Sequence, residues 1–443
     1  MVNKLINHRT LIQFLILFLP LYSSAFEKDK PNERLVKTAQ ELNAAIKEAI
    51  PGNVIIMAEG IWRDIDIVFK AKGEEKKPIT LKAQTPGKVM ISGSSCLQLS
   101  GQYLIVDGLY FKNGASSNKS HLIEFRAGSV PASYSRITNI LVSGFSKPRN
   151  SPDKDVWVGL FGTNNRIDHS LFAQKTSKSP IVTVWRSGTS PDYHQIDHNY
   201  FRDIPPLGEN GAEAIRVGTS ENSLSDSHTI IEFNLFENSN GEGELISVKS
   251  GRNIIRYNTV IKSKGSISLR HGNYNEVFGN YIFGESESNT GGIRVMGENH
   301  MVRNNYIQGL KGSRAAISII EGIENSPIHG YLQVKNLQVI GNTLKDNDVN
   351  IVIGDLYNPA KKQTMKVENA ILRDNVLLGK GKEKPLILIR DEPINMTDEK
   401  NIVYDSAIFQ NKDGVYYPKD KTLEKNIIGR PLKKQEVGPV WNP

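Results

Sequence analysis

The sequence predicts an all-β chain wound as a single-domain, right-handed parallel β-helix, and two observations carry that expectation. A short phrase of the form apolar, polar, polar, Asn, then aromatic or apolar recurs as IDHSLF, IDHNYF, IEFNLF, IRYNTV, VFGNYI, VRNNYI, VIGNTL and LRDNVL, centred on Ser170, Asn199, Asn234, Asn258, Asn280, Asn305, Asn342 and Asn375. The intervals are 29, 35, 24, 22, 25, 37 and 33 residues, as expected for a coil of fixed circumference that takes loop insertions. A propeller blade of about 40 residues is too long for the shortest of these, and the Leu-rich consensus of a horseshoe repeat is missing. The Asn side chains are expected to stack inside one turn and bond the coils above and below.

Met1 to Ala25 reads as an export signal: Lys4 and Arg9, the apolar run LIQFLILFLPL, then Ser23-Ser24-Ala25. The chain is therefore expected outside the cytoplasm, periplasmic or secreted, with residues 26–443 forming the β-helix domain. Phe26 to Arg34 reads as charged and loose. KTAQELNAAIKEAIPG reads as one helix, with Thr38 and Glu41 as a capping box, Leu42, Ala45, Ile46 and Ala49 as its apolar face, and Pro51-Gly52 as its stop. Such a helix would cover the open end of the solenoid. NVIIMAEG follows as a strand. Weaker repeats centred on Gly108 and Gly144 extend the pattern upstream. Beyond about Lys380 the period is lost, and an irregular last coil with a C-terminal wrap is expected.

The net charge is +8, or about +6 without the signal's two basic residues. No other stretch is long enough for a membrane helix, so insertion into a bilayer is not expected. The single cysteine, Cys96, excludes an intramolecular disulfide and a Cys-based zinc site; it reads as a buried small hydrophobe.

The chemistry concentrates between Asn240 and Gly272. Two short strands there, ISVKS and ISLRH, share the pattern apolar, polar, apolar, basic. Alternation puts Ile246, Val248, Ile267 and Leu269 on one face and Lys249 and Arg270 on the other. By the same parity Arg216 (in EAIRVGTS) and Arg294 (in GGIRVMG) point outward, so the four cations are expected to form one column. Stacked like charges repel by something on the order of 4 kcal/mol at close range, which an anionic partner would relieve. One such cation is more often a solvated surface group; four in register are not.

Glu242 and Glu244, two residues apart, supply hard oxygens suited to Ca²⁺, and Asn210 could add a neutral one; alone they read equally well as surface acids on a turn. Glu244 and Lys249 have opposite strand parity, so a bend must fall between them if both face one cleft, and Gly241 and Gly243 make the backbone permissive there. His271 and His300 are candidates for the cleft, and Trp185 and Tyr257 for sugar stacking, although each residue type is more often structural.

An acid pair with a metal, a lysine and arginines suits β-elimination on a uronic-acid polymer. The proton beside the sugar carboxylate is weakly acidic until that carboxylate is neutralised. The base must be unprotonated, and neighbouring cations disfavour a lysine's charged form.

NGAEAIRVGTS, GEGELISVKSGRNIIRYNT, GSISLRHGNYNEVFGNYIFG, GGIRVMGENHMVRNNYIQGL and the terminal RPL…VGPVW resemble polysaccharide lyase family 6, the alginate lyases and chondroitinase B, over about Ala39 to Trp441. The resemblance implies Lys249 as Brønsted base, Arg270 as proton donor or its substitute, and Asn210, Glu242 and Glu244 as Ca²⁺ ligands. It implies Arg294 and His271 as substrate contacts, with Arg216 joining them through the basic column. A water could be the literal acid in place of Arg270, given the arginine's high pKa. The implied partner is an anionic uronate polysaccharide, not a nucleic acid. Alginate is the expected substrate, with mannuronate-containing blocks favoured. The alternatives are a dermatan sulfate lyase using the same site, a glycoside hydrolase with paired carboxylates, and a non-catalytic glycan-binding β-helix.

Overall fold

The computed structural model describes residues 32–441 except 119, 313, 379–385, 405–408, 413–414 and 419–425. The export signal expected at residues 1–25 therefore lies outside the described residues. Strands dominate, and nearly all pair in parallel with the strand one coil away. Each coil contributes one short strand to each of three faces, as in Ile254–Arg256, Thr259–Ile261 and Ser266–His271. The result is a parallel β-helix. No helix among the described residues is long and apolar enough to cross a membrane.

Coils stack in register because like side chains meet inside. Ile215, Ile246, Ile267, Ile293, Ile317 and Ile351 form one continuous buried column, and Val217, Val248, Leu269, Val295, Ile319 and Ile353 the next. Each such side chain contributes about 1.5–3 kcal/mol by burial. The corner between the first and second faces holds the asparagines. Asn258 Nδ2 donates to Asn280 Oδ1 at 3.0 Å and to the Ile231 carbonyl at 2.9 Å, while its own Oδ1 accepts from the Asn234 backbone N–H at 3.0 Å. Equivalent bonds run from Asn199 to Asn401.

The residue before each asparagine is left-handed: His198, Phe233, Tyr257, Gly279, Asn304, Gly341, Asp374 and Lys400 all have positive φ. That conformation is costly for a bulky residue. Stacking offsets the cost, since the rings of His169, His198, Phe233 and Tyr257 lie about 5 Å apart in sequence of coils. Tyr257 is thus part of this outer stack. His300 also belongs to the scaffold: it is buried, with Nδ1 accepting from the Asn275 N–H at 3.0 Å and Nε2 2.8 Å from the Met296 carbonyl.

Three sequence expectations shift. Glu33 and Arg34 are not loose but open the first strand, Glu33–Val36, which pairs with Val54–Met57. The corner positions of the two weak repeats are Leu109 and Ile140, since Gly108 and Asn139 take the left-handed φ that precedes them; Gly144 lies four residues too late. The period also continues past Lys380, where Ile387–Ile389, Thr397–Glu399 and Ile402–Tyr404 pair in register with the preceding coil.

The helix Ala39–Glu48 packs Leu42, Ala45 and Ile46 against the first coil. Thr38 accepts from the Glu41 N–H at 3.1 Å, and Glu41 reaches back to the Lys37 N–H rather than to Thr38 itself. From Asn426 onward the chain returns along the second face toward the first coils. The Tyr281 hydroxyl donates to the Gly429 carbonyl, Val437 packs among Leu141, Leu171 and Tyr200, and Trp441 Nε1 donates to the Asn139 carbonyl at 3.0 Å.

Candidate active site

The third face carries a cleft of about 780 Å³, lined among others by Asn210, Glu242, Glu244, Lys249, Arg270, His271 and Arg294. Seven of the eight residues singled out from the sequence converge there. Arg216 does not line it.

Two bulges shape this convergence. Within the pair formed by Glu244–Lys249 and Ser266–His271, Glu244 opposes Ser266 while Ile246 opposes Ile267, so Leu245 is the extra residue. Leu245 turns into the core, and Glu244 faces the same side as Ser247, whose hydroxyl donates to Glu244 Oε2 at 2.6 Å. A bulge resolves a parity conflict in this way. At the other end Val248 opposes Leu269 while Lys249 opposes His271, leaving Arg270 as the extra residue of its strand.

The four-membered basic column therefore does not form. Arg216, Ser247, Ser268 and Arg294 share one row, while Lys249 lies two residues further along and opposite His271. Repulsion is relieved within the protein as well: Arg294 Nη1 is 3.4 Å and Arg270 Nε 3.9 Å from Glu244 Oε1. Arg216 lies instead over the Trp185 ring, 5.1 Å from its centroid.

Arg270 is held from above. Its Nη1 donates to the Gly330 carbonyl at 2.7 Å and Nη2 to that of His329 at 3.2 Å, and the guanidinium sits 4.4 Å from the Tyr331 ring centroid. Burial and the neighbouring Arg294 lower its pKa, opposed by Tyr331 and Glu244. Burial, with Arg270 and Lys249 alongside, pushes His271 down to about 3, so its imidazole is neutral. Lys249 Nζ has no hydrogen-bond or ion-pair partner among the described residues.

Beneath the cleft, Glu213, Glu242 and Glu244 bring their carboxylate oxygens within 4.8 Å of one another. Both oxygens of Glu213 and Oε1 of Glu242 are buried without a hydrogen-bond partner. Burial, then the charges of Glu213 and Glu244, pushes Glu242 up to about 8, and burial raises Glu213 as well. Three converging carboxylates with orphaned oxygens fit a hard divalent cation. Asn210 is exposed at the rim of the same cleft.

Glu213 was missed in the sequence, although a signal existed. Ile215 and Ile246 are register partners, and EAI and ELI place a glutamate two residues before each. Arg314, His329, Tyr331, Asp355 and Arg390 also line the cleft. His329 and Tyr331 come from an insertion inside the 37-residue interval between Asn305 and Asn342, and no repeat pattern points to them.

The model of the chondroitinase B family matches residues 36–435. The chain belongs to this family, polysaccharide lyase family 6. It is similar to the PL6 family alginate lyase AlyGC, at 39% identity and a TM-score of 0.87 over 93% of this chain and 59% of that one. The chain thus spans well under two thirds of AlyGC. A PL6 family polysaccharide lyase from Pseudopedobacter saltans is 32% identical with a TM-score of 0.80, over 92% of this chain and 99% of that one. A lyase of the family described as mannuronic acid specific, from human gut microbiota, is 27% identical with a TM-score of 0.77, over 93% and 97%. None of the curated proteins matches the chain.

Proposed function

We propose that the chain is an exported lyase that cleaves alginate, with mannuronate-containing blocks favoured, by β-elimination. The observation that carries this reading is one cleft in which Lys249, Arg270 and Arg294 surround a trio of carboxylates with orphaned oxygens. The alginate-lyase descriptions of its relatives support the substrate.

In this reading Glu213, Glu242 and Glu244, with Asn210 at the rim, would hold a Ca²⁺ ion, whose charge would neutralise the substrate carboxylate and so acidify the adjacent C–H. Arg294, already beside Glu244, binds the same carboxylate. Lys249 Nζ, free of competing partners, takes the C5 proton. The electron pair forms the C4–C5 double bond as the C4–O bond breaks. Arg270 supports the departing oxygen, which takes its proton from the guanidinium or from a water that Arg270 orients. Neutral His271 lies beside both and adds no positive charge of its own there.

A hydrolase mechanism fits less well. Its carboxylates flank the bond about 5–5.5 Å or more apart, whereas these are gathered beneath the cleft.

The test is the ultraviolet absorbance of the conjugated double bond on mixing purified protein with alginate, dermatan sulfate or pectate, with Ca²⁺ and then with chelator. A rise with alginate is expected. A rise only with dermatan sulfate, the substrate class suggested by the family model's name, keeps the mechanism and moves the substrate. No rise with any polymer from folded protein leaves a glycan-binding β-helix.

A further inference from the structure

We propose that Phe161 and Trp185 form a distal subsite that stacks a sugar ring of the same polymer, with Arg216 and Lys154 poised for its carboxylate. The proposal rests on the uronate-lyase reading and adds to it a length requirement.

Phe161 and Trp185 each follow immediately after a cleft-face strand, Val156–Leu160 and Val182–Val184. Leu160, Val184, Val217 and Val248 are register partners across four coils. The residues that follow them, Phe161, Trp185, Gly218 and Lys249, therefore share one row running along the solenoid. At roughly 4.8 Å per rung, Trp185 stands about 10 Å and Phe161 about 14 Å from Lys249 in backbone. Gly218, between Trp185 and Lys249, adds no side chain, and a Cβ there would meet the Lys249 carbonyl at 2.7 Å.

The two rings are parallel, with centroids 6.2 Å apart and planes 13° from each other. Trp185 is fixed by its Nε1, which donates to His121 Nε2 at 2.8 Å. Burial pushes His121 down to about 4, so it is neutral and can accept. Three cations meet the pair: Arg126 lies 3.9 Å from the Phe161 centroid, and Arg216 and Lys154 lie 5.1 and 5.7 Å from that of Trp185.

A stack covering a solenoid need not look like this. On the corner carrying His198, Phe233 and Tyr257, the nearby arginines are matched by acids, Arg166 by Asp197 and Arg256 by Glu232. Arg126 is likewise matched by Glu124. Arg216 and Lys154 make no direct ion pair among the described residues, although the charge of Arg216 is felt by Glu213, and Arg216 Nε is buried without an acceptor. Half-buried rings flanked by Arg216 and Lys154, neither in a direct ion pair among the described residues, suit a sugar with an apolar ring face and a carboxylate.

The experiment measures kcat/KM on mannuronate oligosaccharides of graded length for wild type, Trp185→Ala, Phe161→Ala and Trp185→Phe, with circular dichroism as the folding control. Wild-type kcat/KM should rise once a chain reaches from Lys249 to Trp185. Trp185→Ala should lose about tenfold on long chains, through KM rather than kcat, and stay within about twofold on the shortest cleaved ones. Trp185→Phe should recover most of the loss. Equal loss at every length, or no loss at any, overturns the proposal. If wild type cleaves no oligouronate, the lyase reading fails separately. Calorimetric affinity for the longest oligomer then decides the subsite: weaker binding by Trp185→Ala upholds it, and equal binding overturns it. Phe161→Ala answers the same question should Trp185→Ala not fold.

Discussion

Ser247 donates its hydroxyl to Glu244 Oε2 at 2.6 Å, a contact that the parity of a straight strand forbids for residues three apart. The bulge at Leu245 makes it, and with it the carboxylate trio. Deleting Leu245 removes the extra residue and leaves Glu244 two places from Ser247 in a regular strand, so Glu244 should keep its outward face. The expected outcome is Ca²⁺ binding that survives in calorimetry together with lower stability from the loss of a buried leucine.

Lys249→Ala should lower turnover by about 10³-fold or more while changing the melting temperature little, because the Lys249 side chain has no described partner to leave behind. Steady-state kinetics and thermal melts on the same preparation check this. Turnover within tenfold of wild type would falsify its assignment as the base.

Glu242 gives a pH signature. Its carboxyl is raised from 4.5 to about 8 in the folded, metal-free protein. Between those values the native state holds a proton that the unfolded chain has lost. Stability should therefore fall as pH rises from about 5 to 8, by on the order of a few kcal/mol. Glu242→Gln should flatten that slope, and saturating Ca²⁺ should reverse it by binding the ionised trio. Melting curves with chelator across this range provide the measurement. A flat wild-type profile would argue against a raised Glu242.

Arg270→Lys keeps a positive charge but cannot bond the carbonyls of His329 and Gly330 together or stack on Tyr331. Activity should drop about 100-fold or more, and limited proteolysis should cut more readily near His329. Cleavage at the wild-type rate would mean that other contacts hold this segment.

Asn258→Ala removes a buried side chain that donates to Asn280 Oδ1 and two carbonyls and accepts from Asn234. Orphaning those groups should cost about 2–4 kcal/mol, read as a lower denaturant midpoint. An exposed asparagine of the outer turns, such as Asn369, is the matched control and should cost far less.

The coil and its ladder were legible because Asn258 and its equivalents must recur once per turn, and their spacing survives loop insertions. The cations and acids of the cleft were legible through strand alternation. Their register was not, because one extra residue at Leu245 and another at Arg270 shift alignment while leaving composition unchanged. Glu213 hid one coil upstream, where only superposing EAI on ELI reveals it. His329 and Tyr331 belong to an insertion whose return path is set by tertiary contacts, with no period to read.

Trp441 lies against Gly87, where a Cβ would meet its ring at 2.3 Å, and bonds the Asn139 carbonyl. A late stretch of the sequence is thus docked on early coils. A bare solenoid is held only by neighbour-to-neighbour contacts and can peel from either end. A seam joining its two extremities makes the unravelling of one end depend on the other. The stack gains all-or-none resistance to fraying once residues 426–441 are in place.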